Sequence, residues 1–417
     1  MGKEMTGHSS RVIGYSTGAI VLIILGIVLS SQLFVIAGVI CLGLVILSIG
    51  LIPKRPGFSR ELERVQIFEG GSIKTRVEID GRVGAGNLEI FDKVSPSLEL
   101  KGSSNSALVP PGKRSFDYMI NAPLRGYHDI GPASIRRWDP LWLWFSEGSY
   151  GNKDELTVFP VITPIAGRSM QVKRYKHRPG EMKLKRVGMG KEFHSIRDYN
   201  PTDPFNTINW KAYARTRKLL VNQFEAESVT DIMFLIDARM VTRVGTMVEN
   251  PLERSIRLAG SMAARLLQGS NRVGSIIYGS TVTVIKPKGG PSALTSMMHD
   301  LTNITPMGYN TLGSTIEYSL PYLPPNVPIF LLSPLSEDPT TREAVKNLIG
   351  RGHPLTIISP AGVEFERIVY MGKLTPRYLL KRLSRENMLK DIRSMGARVI
   401  DWTPDKDLFW AMEEVWK

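Results

Sequence analysis

Cysteine is nearly absent from this chain. The sequence contains one cysteine, Cys41, which lies inside an apolar run. A single cysteine excludes an intramolecular disulfide and a CxxC metal site, and its apolar surroundings exclude a soluble cysteine nucleophile. This low usage is compatible with a reducing compartment.

Histidine is also scarce, and its spacing excludes the common zinc hydrolase motifs. The six histidines are scattered, and no HExxH or other paired-ligand spacing occurs. A phosphate-binding P-loop is missing too, because the run Gly188–Lys191 has Lys185 and Glu192 where that motif needs Gly and Ser or Thr, respectively. The sequence therefore predicts neither hydrolytic metal chemistry nor nucleotide binding by this route.

Two N-terminal runs carry no charge at all. Val12–Ser30 and Leu33–Ile52 are each about twenty residues long, enough for a helix to cross ~30 Å of hydrocarbon. Because only Ser31 and Gln32 separate them, we predict a transmembrane helical hairpin in residues 1–52, with both chain ends on one side. A cleaved signal peptide is the alternative for the first run, but the second run follows too closely to favour it.

Basic residues flank both runs and indicate the orientation of the hairpin. By the positive-inside rule they predict a protein of the cell membrane with two spans, whose soluble domains are cytoplasmic. The flanking residues are Lys3, Arg11, Lys54, Arg55, Arg60 and Arg64. Three glycines of the second run are small enough to let the helices approach closely, namely Gly38, Gly43 and Gly50.

Positive charge is concentrated in one part of the soluble chain. The formal net charge is +14, and Arg168–Glu227 holds fourteen Lys or Arg against six Asp or Glu. The excess is typical of a solvated face with internal ion pairs, or of a surface for an acidic protein, anionic lipid or nucleic acid. Nucleic acid is not our expected partner, because no known binding motif accompanies the basic stripe near Tyr175.

Residues 57–165 show short alternating stretches separated by Gly, Pro, Asn and Asp. Their spacing predicts a β-sandwich with strands in SIKTRVEI, NLEIFDKV, SLELKG, SFDYMIN, ASIRRW and ELTVFPV. Three tryptophans near its end are more typical of packing within the sheet and between domains than of a ligand platform, namely Trp138, Trp142 and Trp144.

Residues 228–417 alternate between apolar strands and segments of helical period. The pattern predicts an α/β domain with a Rossmann-like, largely parallel sheet covered on both faces. Strands are expected in VTDIMFLIDA, RVGSIIYG, TVTVIKP, PIFLLSP, PLTIIS and ARVIDW. Helices are expected at 252–267, 292–301, 341–349, 379–395 and 406–416. Residues 166–227, between the two domains, hold a basic connector and a dense mixture of charge, turn residues and aromatics.

That mixture, from Gly188 to Glu227, resembles the signature of the often membrane-anchored family catalogued as domain of unknown function 58 (DUF58). In that family, similar residues precede a von Willebrand factor A-like domain. The resemblance implies such a domain at residues 228–417. The matching positions are Gly188, Gly190, Glu192, Phe193, Arg197, Tyr199, Pro201, Asp203, Ile208, Trp210, Ala214, Arg215, Leu219 and Phe224.

Within the signature, Asn200–Asp203 is typical of a turn that caps a helix beginning near Pro204. We expect Arg197 and Arg215 to bond carboxylates or carbonyls, and Trp210 to anchor the segment on the sheet. These contacts predict an interaction element. Its expected residues are Glu192, Phe193, Arg197, Tyr199, Asp203, Trp210 and Arg215.

An acid/base cluster is the alternative for the same segment. His194, Arg197, Asp198 and Asp203 lie close together in sequence, and His194 and Asp198 would share a face of a helix. Such a cluster would make the protein an enzyme acting on envelope or protein substrates. The prolines beside Asp203 disfavour a continuous helix there, so the structural interpretation is our expectation.

The resemblance to von Willebrand A-like domains implies a divalent-cation site, which this sequence departs from. Asp237 keeps the first ligand position, but Arg239 and Val241 replace the two serines of the family's Asp-x-Ser-x-Ser motif. Asn310 stands in place of the threonine, and Pro334 in place of the last aspartate. We therefore expect no metal, with Arg239 paired to Asp237 instead. Two acidic residues follow shortly after Pro334, namely Glu337 and Asp338.

The expected function follows from three features: the membrane anchor, the α/β domain as a protein-binding platform, and the resemblance to the DUF58 family. We expect a membrane protein without enzymatic activity or cofactor, attached to lipid by its two helices, that binds other proteins. The resemblance implies a MoxR-type AAA+ ATPase as the partner, with a client protein that the pair matures or remodels. A metal-dependent adhesion receptor would need an extracellular soluble part and a bound cation, which the flanking charges and the altered site disfavour.

Overall fold

The computed structural model describes most of the chain. The described residues are 4–80, 86–101, 104–110, 112–163, 187–201, 203–225, 229–336, 338–369 and 375–416. They form two compact units, Met1–Val161 with Met297–Ile304, and Ile162–Ser296 with Thr305–Lys417. Residues 165–186 of the predicted basic connector, which extends to Gly190, lie outside the described residues.

The first unit begins with a short strand, β1 (Met5–His8), and two apolar helices, α1 (Ser10–Val28) and α2 (Gln32–Leu47). A 3₁₀ turn at Ser48–Leu51 extends α2. Both helices are long and apolar enough to cross a membrane. Gly38 lies where the helices touch, because a Cβ there would stand 2.7 Å from the Ala19 carbonyl oxygen.

Gly38 is the one predicted close-approach glycine that the structure confirms. A Cβ at Gly43 or Gly50 would meet nothing within 4 Å, so the expectation for these two glycines is wrong. Gly26 of α1 does contact the partner helix, since a Cβ there would lie 2.7 Å from the Val35 amide nitrogen. Helical spacing alone does not show which face of α2 turns toward α1, because the run is apolar all round.

Two antiparallel-rich sheets follow the helices. A seven-stranded sheet has the order β1-β10-β9-β11-β3, with β5 beside β9 and β7 beside β5, and a four-stranded sheet has the order β2-β4-β8-β6. Their bounds are β2 Gly57–Leu62, β3 Gln66–Phe68, β4 Ser72–Asp80, β5 Asn87–Val94, β6 Glu99–Leu100, β7 Ser106–Val109, β8 Lys113–Asn121, β9 Gly126–Trp138, β10 Trp144–Tyr150 and β11 Asp154–Phe159.

Alternation explains how these strands form a core. In β4 every second side chain is buried, and Ile73, Val77 and Ile79 are almost fully excluded from solvent. They share a core cluster with Ile120 from the neighbouring strand β8 and with Ile90 from β5 of the other sheet. Each predicted strand segment of this region contains a strand, although SLELKG does so only at Glu99–Leu100, and the sheet-rich region is confirmed.

The second unit starts with a small two-stranded element. β12 (Val187–Asp198) pairs antiparallel with β13 (Leu220–Glu225), and a 3₁₀ turn (Phe205–Thr207) and helix α3 (Trp210–Thr216) lie between them. We call residues 187–225 the signature unit, because they carry the sequence signature described above.

A six-stranded sheet forms the centre of the second unit. Its order is β16-β15-β14-β17-β18-β19, parallel except for the antiparallel edge strand β16. The strands are β14 Asp231–Asp237, β15 Arg272–Tyr278, β16 Val282–Lys288, β17 Ile329–Leu332, β18 Leu355–Pro360 and β19 Arg398–Trp402. The helices of this part of the chain are α4 Pro251–Gln268, α5 Pro291–Thr302, α6 Leu312–Ser319, α7 Thr341–Gly350, α8 Gly362–Val369, α9 Pro376–Ser394 and α10 Leu408–Trp416. The part of α5 from Met297 onward belongs to the first unit.

The predicted α/β region with parallel strands is confirmed. All six expected strands and all five expected helices are present, within a few residues of the expected bounds. Sequence analysis missed α6 and α8, which are eight residues each. Strands β14, β17 and β18 are buried along almost their whole length, which is why they read as continuous apolar runs.

Candidate functional site

The first candidate site lies at the carboxyl edge of the six-stranded sheet. Strands β14 and β17 are neighbours there, although the chain passes through β15 and β16 between them. In a doubly wound sheet this switch point opens a crevice where ligands bind. Asp237 ends β14 and Ser333 follows β17, so both residues lie at this carboxyl edge.

Arg239 fills this position with its own positive charge. Its Nε donates to Asp237 Oδ1 at 2.9 Å and its Nη2 donates to Asp237 Oδ2 at 2.7 Å. The predicted pairing of these two residues is present. Ser333 Oγ also donates to Asp237 Oδ2, at 2.7 Å, and the guanidinium stacks over the Tyr278 ring at 5.3 Å. The aspartate side chain is fully buried and that of Arg239 nearly so.

Asp338 closes the other side of the cluster. Its Oδ2 accepts from Arg239 Nη1 at 2.9 Å and from the Leu312 amide at 2.7 Å. Its Oδ1 accepts from the Thr340 hydroxyl at 2.6 Å and from the Thr340 amide at 3.0 Å. Arg239 and Asp338 together therefore join the end of β14, the loop after β17 and the start of α6.

The electrostatics of the cluster follow from this geometry. Burial alone would raise the pKa of Asp338, but hydrogen bonds from Thr340 and Leu312 and the charge of Arg239 outweigh it and lower that pKa. Burial would lower the pKa of Arg239, but the two carboxylates beside it raise it. The pKa of Tyr278 rises well above its usual value, mainly through burial. All three groups therefore keep fixed protonation states near neutral pH.

Two further positions that depart from the family's metal-site pattern, Asn310 and Pro334, lie near this edge without joining the cluster. Asn310 does not reach the cluster, because its Nδ2 donates to the Ser280 carbonyl oxygen at 3.2 Å. Pro334 contributes no carboxylate, and Asp338 supplies the second acid instead. Glu337 lies outside the described residues. Ser333 also belongs to the cluster but was not predicted from the sequence. The signal that could have identified it is its position, as a polar residue directly after a buried strand.

These residues do not fit a divalent cation. The guanidinium stands between the two carboxylates at hydrogen-bond distance from both, so a second cation there would meet a like charge. In the described part of the chain, no group of three or more His, Cys, Asp or Glu side chains is arranged to hold a metal ion. The cluster has the chemistry of a structural ion-pair network that holds the chain segments at the sheet edge together.

The second candidate site is the signature unit. Arg197 forms a bidentate pair with Asp203, with Nη1 to Oδ2 at 2.7 Å and Nη2 to Oδ1 at 2.6 Å. The Asn200 amide also donates to Asp203 Oδ2, at 2.8 Å. The Arg197 hydrogen bonds lower the pKa of Asp203, which therefore stays ionised. The pair ties the end of β12 to the turn that follows it.

The predicted turn is present, since the Asp203 amide donates to the Asn200 carbonyl at 2.8 Å. The predicted helical stretch near Pro204 is present as the 3₁₀ turn that begins at Phe205, but no side chain caps it. Helix α3 begins later, and Asn209 caps it by accepting from the Ala212 amide at 2.9 Å. Asp203 is occupied by Arg197 and so is not available to cap a helix.

Trp210 does not anchor the segment on the sheet. Its side chain is 61% exposed and makes an edge contact with Tyr213 on its own helix, with centroids 6.2 Å apart. Phe205 is 74% exposed and lies 6.1 Å from the Tyr199 ring. Four basic residues of the same unit are exposed, namely Lys211, Arg215, Arg217 and Lys218. The signature unit therefore presents aromatic rings and positive charge to solvent.

The remaining predicted residues divide between described and undescribed side chains. Arg215 is exposed and forms no ion pair with another described residue, so its expected carboxylate contact is not found there. The side chains of Glu192, Phe193 and His194 lie outside the described part of the chain. Sequence analysis missed Phe205 and Tyr213, although both follow the same signal of aromatics between turn residues.

Comparison with known proteins places the signature unit in a recognised family region. Residues 195–326 match the model of a family described as "Protein of unknown function DUF58". A Bacillus subtilis (strain 168) protein named "Uncharacterized protein YeaD" is 25% identical over 195 residues, which is 43% of this chain and 47% of that protein. The chain thus matches about half the length of this curated relative. The resemblance to DUF58 is confirmed for this region.

Solved structures resemble the chain only distantly. The manganese-loaded TRAP protein of Plasmodium vivax is 15% identical, with a TM-score of 0.26, and the match covers 36% of this chain and 65% of that one. A chain from the human seminal plasma complex of zinc 2-glycoprotein and prolactin inducible protein is 10% identical, with a TM-score of 0.19, covering 25% and 97%. Likenesses at these scores do not define a fold.

Proposed function

We propose that this chain is a membrane-anchored protein-interaction scaffold, or adaptor, and not an enzyme. In this proposal the signature unit captures a protein partner, and the anchor holds that partner at the membrane. The proposed partner is a MoxR-type AAA+ ATPase, for which the support is the resemblance to the DUF58 family. ATP hydrolysis would then lie in the partner, and the outcome would be maturation or remodelling of a client protein.

The exposed aromatic and basic surface of the signature unit is the observation that carries this proposal. Trp and Tyr are enriched at the centres of protein interfaces, where they bury large area at low entropic cost. Trp210, Phe205 and Tyr213 are all exposed on a unit that is braced by the Arg197–Asp203 pair. Basic side chains beside them favour an acidic partner surface.

The arrangement at the sheet edge supports a platform rather than a metal-dependent adhesion domain. We infer a von Willebrand A-like fold for residues 228–417 from the resemblance, and the doubly wound strand order with one antiparallel edge strand is compatible with it. The guanidinium of Arg239 supplies the positive charge that a bound metal ion would supply in such an adhesion domain. Binding through such a domain would depend on side-chain surfaces and not on Mg²⁺.

The enzyme alternative, through His194 and Asp203, has less support. Asp203 accepts three hydrogen bonds, and its lowered pKa makes it a weak general base near neutral pH. These features are typical of a carboxylate that holds a turn. A residue built for acid/base catalysis commonly has a pKa moved toward neutrality.

The proposed membrane topology has support from the first unit. Strand β1 precedes α1, yet it pairs with β10, which lies after α2. A hairpin of two spans brings these segments to the same side of a bilayer. Lys54 and Arg55 follow α2 directly, and the positive-inside rule assigns that side to the cytoplasm.

Binding measurements with surface variants test the proposal. The intact chain, solubilised in detergent, is titrated with a purified MoxR-type AAA+ ATPase from the same source. We expect Trp210→Ala combined with Phe205→Ala to weaken binding by about tenfold to thirtyfold, as expected for loss of a hot spot. Tyr309→Ala is the matched control, because Tyr309 is 77% exposed on the same compact unit but outside the signature unit.

The outcomes separate the two functions. Equal binding by the wild type and the double variant would remove the signature surface from the proposal, and no binding by any form would reject the ATPase partner. Turnover of a protein or envelope substrate that His194→Ala abolishes in a folded protein would establish the enzyme alternative instead.

A further inference from the structure

The loop between β9 and β10 meets the ends of both apolar helices. We call residues 139–144 the Asp139 loop. The Ser9 amide donates to the Leu143 carbonyl at 2.8 Å, and the Ser9 hydroxyl donates to the Trp142 carbonyl at 2.9 Å. The Trp144 indole N–H donates to the Val45 carbonyl at 2.9 Å. Ser9 caps α1 and Val45 lies in the last turn of α2, so the loop is fixed at one end of the helix pair.

A buried carboxylate shapes this loop. Asp139 is fully buried, and its Oδ1 accepts from the amides of Leu143 at 2.6 Å and Trp144 at 2.7 Å. Its Oδ2 accepts from the Leu141 amide at 3.0 Å. Trp142 is held at a φ of +59°, a left-handed conformation that is rare for a bulky residue. Such strain at a defined position commonly marks a functional constraint.

The loop divides its side chains between two surroundings. Leu143 is 2% exposed and packs against Val12 and Val45, between the helix ends. Leu141, two residues earlier, is 46% exposed. The ring centroids of Trp142 and Trp138 lie 5.2 Å apart in a tilted arrangement, and both side chains remain partly open to solvent. The buried Leu143 thus packs between the two helix ends. Leu141, Trp138 and Trp142 lie beside it at the protein surface.

The position of these side chains matches the boundary of a bilayer. A helix of about twenty residues spans the ~30 Å hydrocarbon layer, so the ends of α1 and α2 define its surface. Trp is enriched at that depth, where its ring is in the apolar boundary and its N–H faces polar groups. Arg136 lies 4.7 Å from the Phe145 ring centroid at the same end of β9 and β10, and it pairs with Glu147 at 2.9 Å. The aromatic rings are the side chains that fit the bilayer boundary.

The sandwich has little freedom to move away from this boundary. Only Ser9 separates β1 from α1. On the other flank, the buried Arg137 donates to the Pro53 carbonyl at 2.9 Å and to Glu4 Oε1 at 2.7 Å. Arg137 therefore joins the segment before α1 to the segment after α2.

We propose that the Asp139 loop inserts Leu141 and Trp142 into the lipid headgroup boundary and so docks the β-sandwich directly on the bilayer. The occupant of this surface is lipid, because the loop is continuous with the helix ends that would cross the membrane. The proposal rests on the membrane anchoring in the proposed function. It adds a second, peripheral contact that sets the height and tilt of the sandwich.

Spin-label accessibility tests the depth of the loop. The intact chain carrying Cys41→Ala is given one new cysteine, labelled with a nitroxide, and reconstituted in phosphatidylcholine and phosphatidylglycerol vesicles. At Leu141→Cys we expect accessibility to oxygen to exceed accessibility to a water-soluble nickel complex. Ser72→Cys is the aqueous control, because Ser72 is exposed and pairs with Asn121, at the end of the sandwich where β9 begins.

A third label separates this proposal from the anchoring itself. Ile20→Cys lies in the middle of α1 and is exposed on the helix surface, so it should show the deepest, oxygen-dominated environment. An oxygen-dominated signal at position 20 with a water-like signal at 141 would overturn the docking proposal alone. Water-like signals at both positions would reject the membrane anchor.

Trp142→Gly provides a variant that keeps the fold. Glycine adopts a φ of +59° without strain, so the unfolding temperature should be maintained. The label at Leu141 should nevertheless shift toward the nickel-accessible, aqueous value, because the main aromatic contact with the boundary is gone. No shift in a stable variant would contradict a role of Trp142 in docking.

Discussion

Arg239 shows how a single side chain determines the chemistry of a sheet edge. Its guanidinium is nearly buried and serves two carboxylates, Asp237 and Asp338, that are fully buried. Burying charges costs free energy that only close pairing offsets. Removing one partner is therefore far more damaging than replacing the whole cluster, since the remaining charges stay buried without compensation.

Arg239→Met should destabilise the second unit by about 3 to 5 kcal/mol, because it leaves two buried carboxylates unpaired. Denaturant unfolding of the intact chain in detergent measures the change. Arg342→Met is the matched control, since Arg342 pairs with Asp391 at 2.8 Å in a half-exposed position. That pair should contribute about 0 to 1 kcal/mol. Equal stability of the two variants would show that the Arg239 cluster is not desolvated in solution.

Sequence spacing explains which parts of the cluster were predictable. Asp237 and Arg239 are two residues apart at the end of one strand, and their pairing was expected from that proximity. The Asp338 contact joins residues 99 positions apart, and only the sheet order brings them together. The prediction that Trp210 anchors the segment on the sheet was wrong for a different reason. An aromatic side chain in a short helix is equally compatible with a buried and an exposed position.

Among the small elements, the signature unit depends on a turn closed by one ion pair. It has two strands and a short helix, so it lacks a large core of its own. The Arg197–Asp203 pair links β12 to the turn, and the Tyr199 amide donates to the Leu219 carbonyl at 2.9 Å. The order of the exposed aromatic rings should therefore depend on this pair.

Arg197→Ala should loosen the signature unit without unfolding the six-stranded sheet. We expect faster amide hydrogen exchange in residues 195–200 and 219–222, and unchanged exchange in β14 and β17, whose burial is independent of the pair. Arg382→Ala is the control, because Arg382 forms an exposed pair with Glu386 on α9. Unchanged exchange in the signature unit would show that the pair does not hold the turn.

The two apolar helices offer a matched pair of glycine substitutions. Gly38→Leu should lower the unfolding temperature in detergent, since a Cβ would lie 2.7 Å from the Ala19 carbonyl and 2.5 Å from Ile23 Cγ1. Gly43→Leu should leave that temperature unchanged, because nothing lies within 4 Å of its Cβ position. Equal effects of the two changes would mean that the helices do not pack as described.

Strands and helices were predicted correctly where burial imposes a regular hydrophobic pattern on the sequence. The alternating strand β4 and the continuous apolar strand β14 are both evident from sequence, because one face or both faces are buried. The missed helix α6 is eight residues long and partly polar, and its start depends on Thr311 as the N-cap. Short helices of this kind owe their stability to tertiary contacts.

For the whole molecule, the least predictable feature is the way the chain closes on itself. Strand β1 is four residues long, and its partner β10 lies more than 130 residues away. Four residues carry too little pattern to predict a strand, and the pairing depends on the hairpin of α1 and α2.

The two compact units each contain a buried histidine, so a single pH titration examines both units.

Acidification should destabilise both units before the carboxylate cluster responds. Burial lowers the pKa of His128 in the first unit and of His353 in the second, although each ring also bonds a backbone carbonyl. Below about pH 6.5 the unfolded chain takes up protons that the folded histidines do not, so the free energy of unfolding falls as pH decreases. The lowered pKa of Asp338 confines its own loss to below about pH 4. Thermal unfolding between about pH 7 and pH 5 measures the effect. His353→Gln should flatten it for the second unit, and an unchanged slope would contradict a neutral buried histidine there.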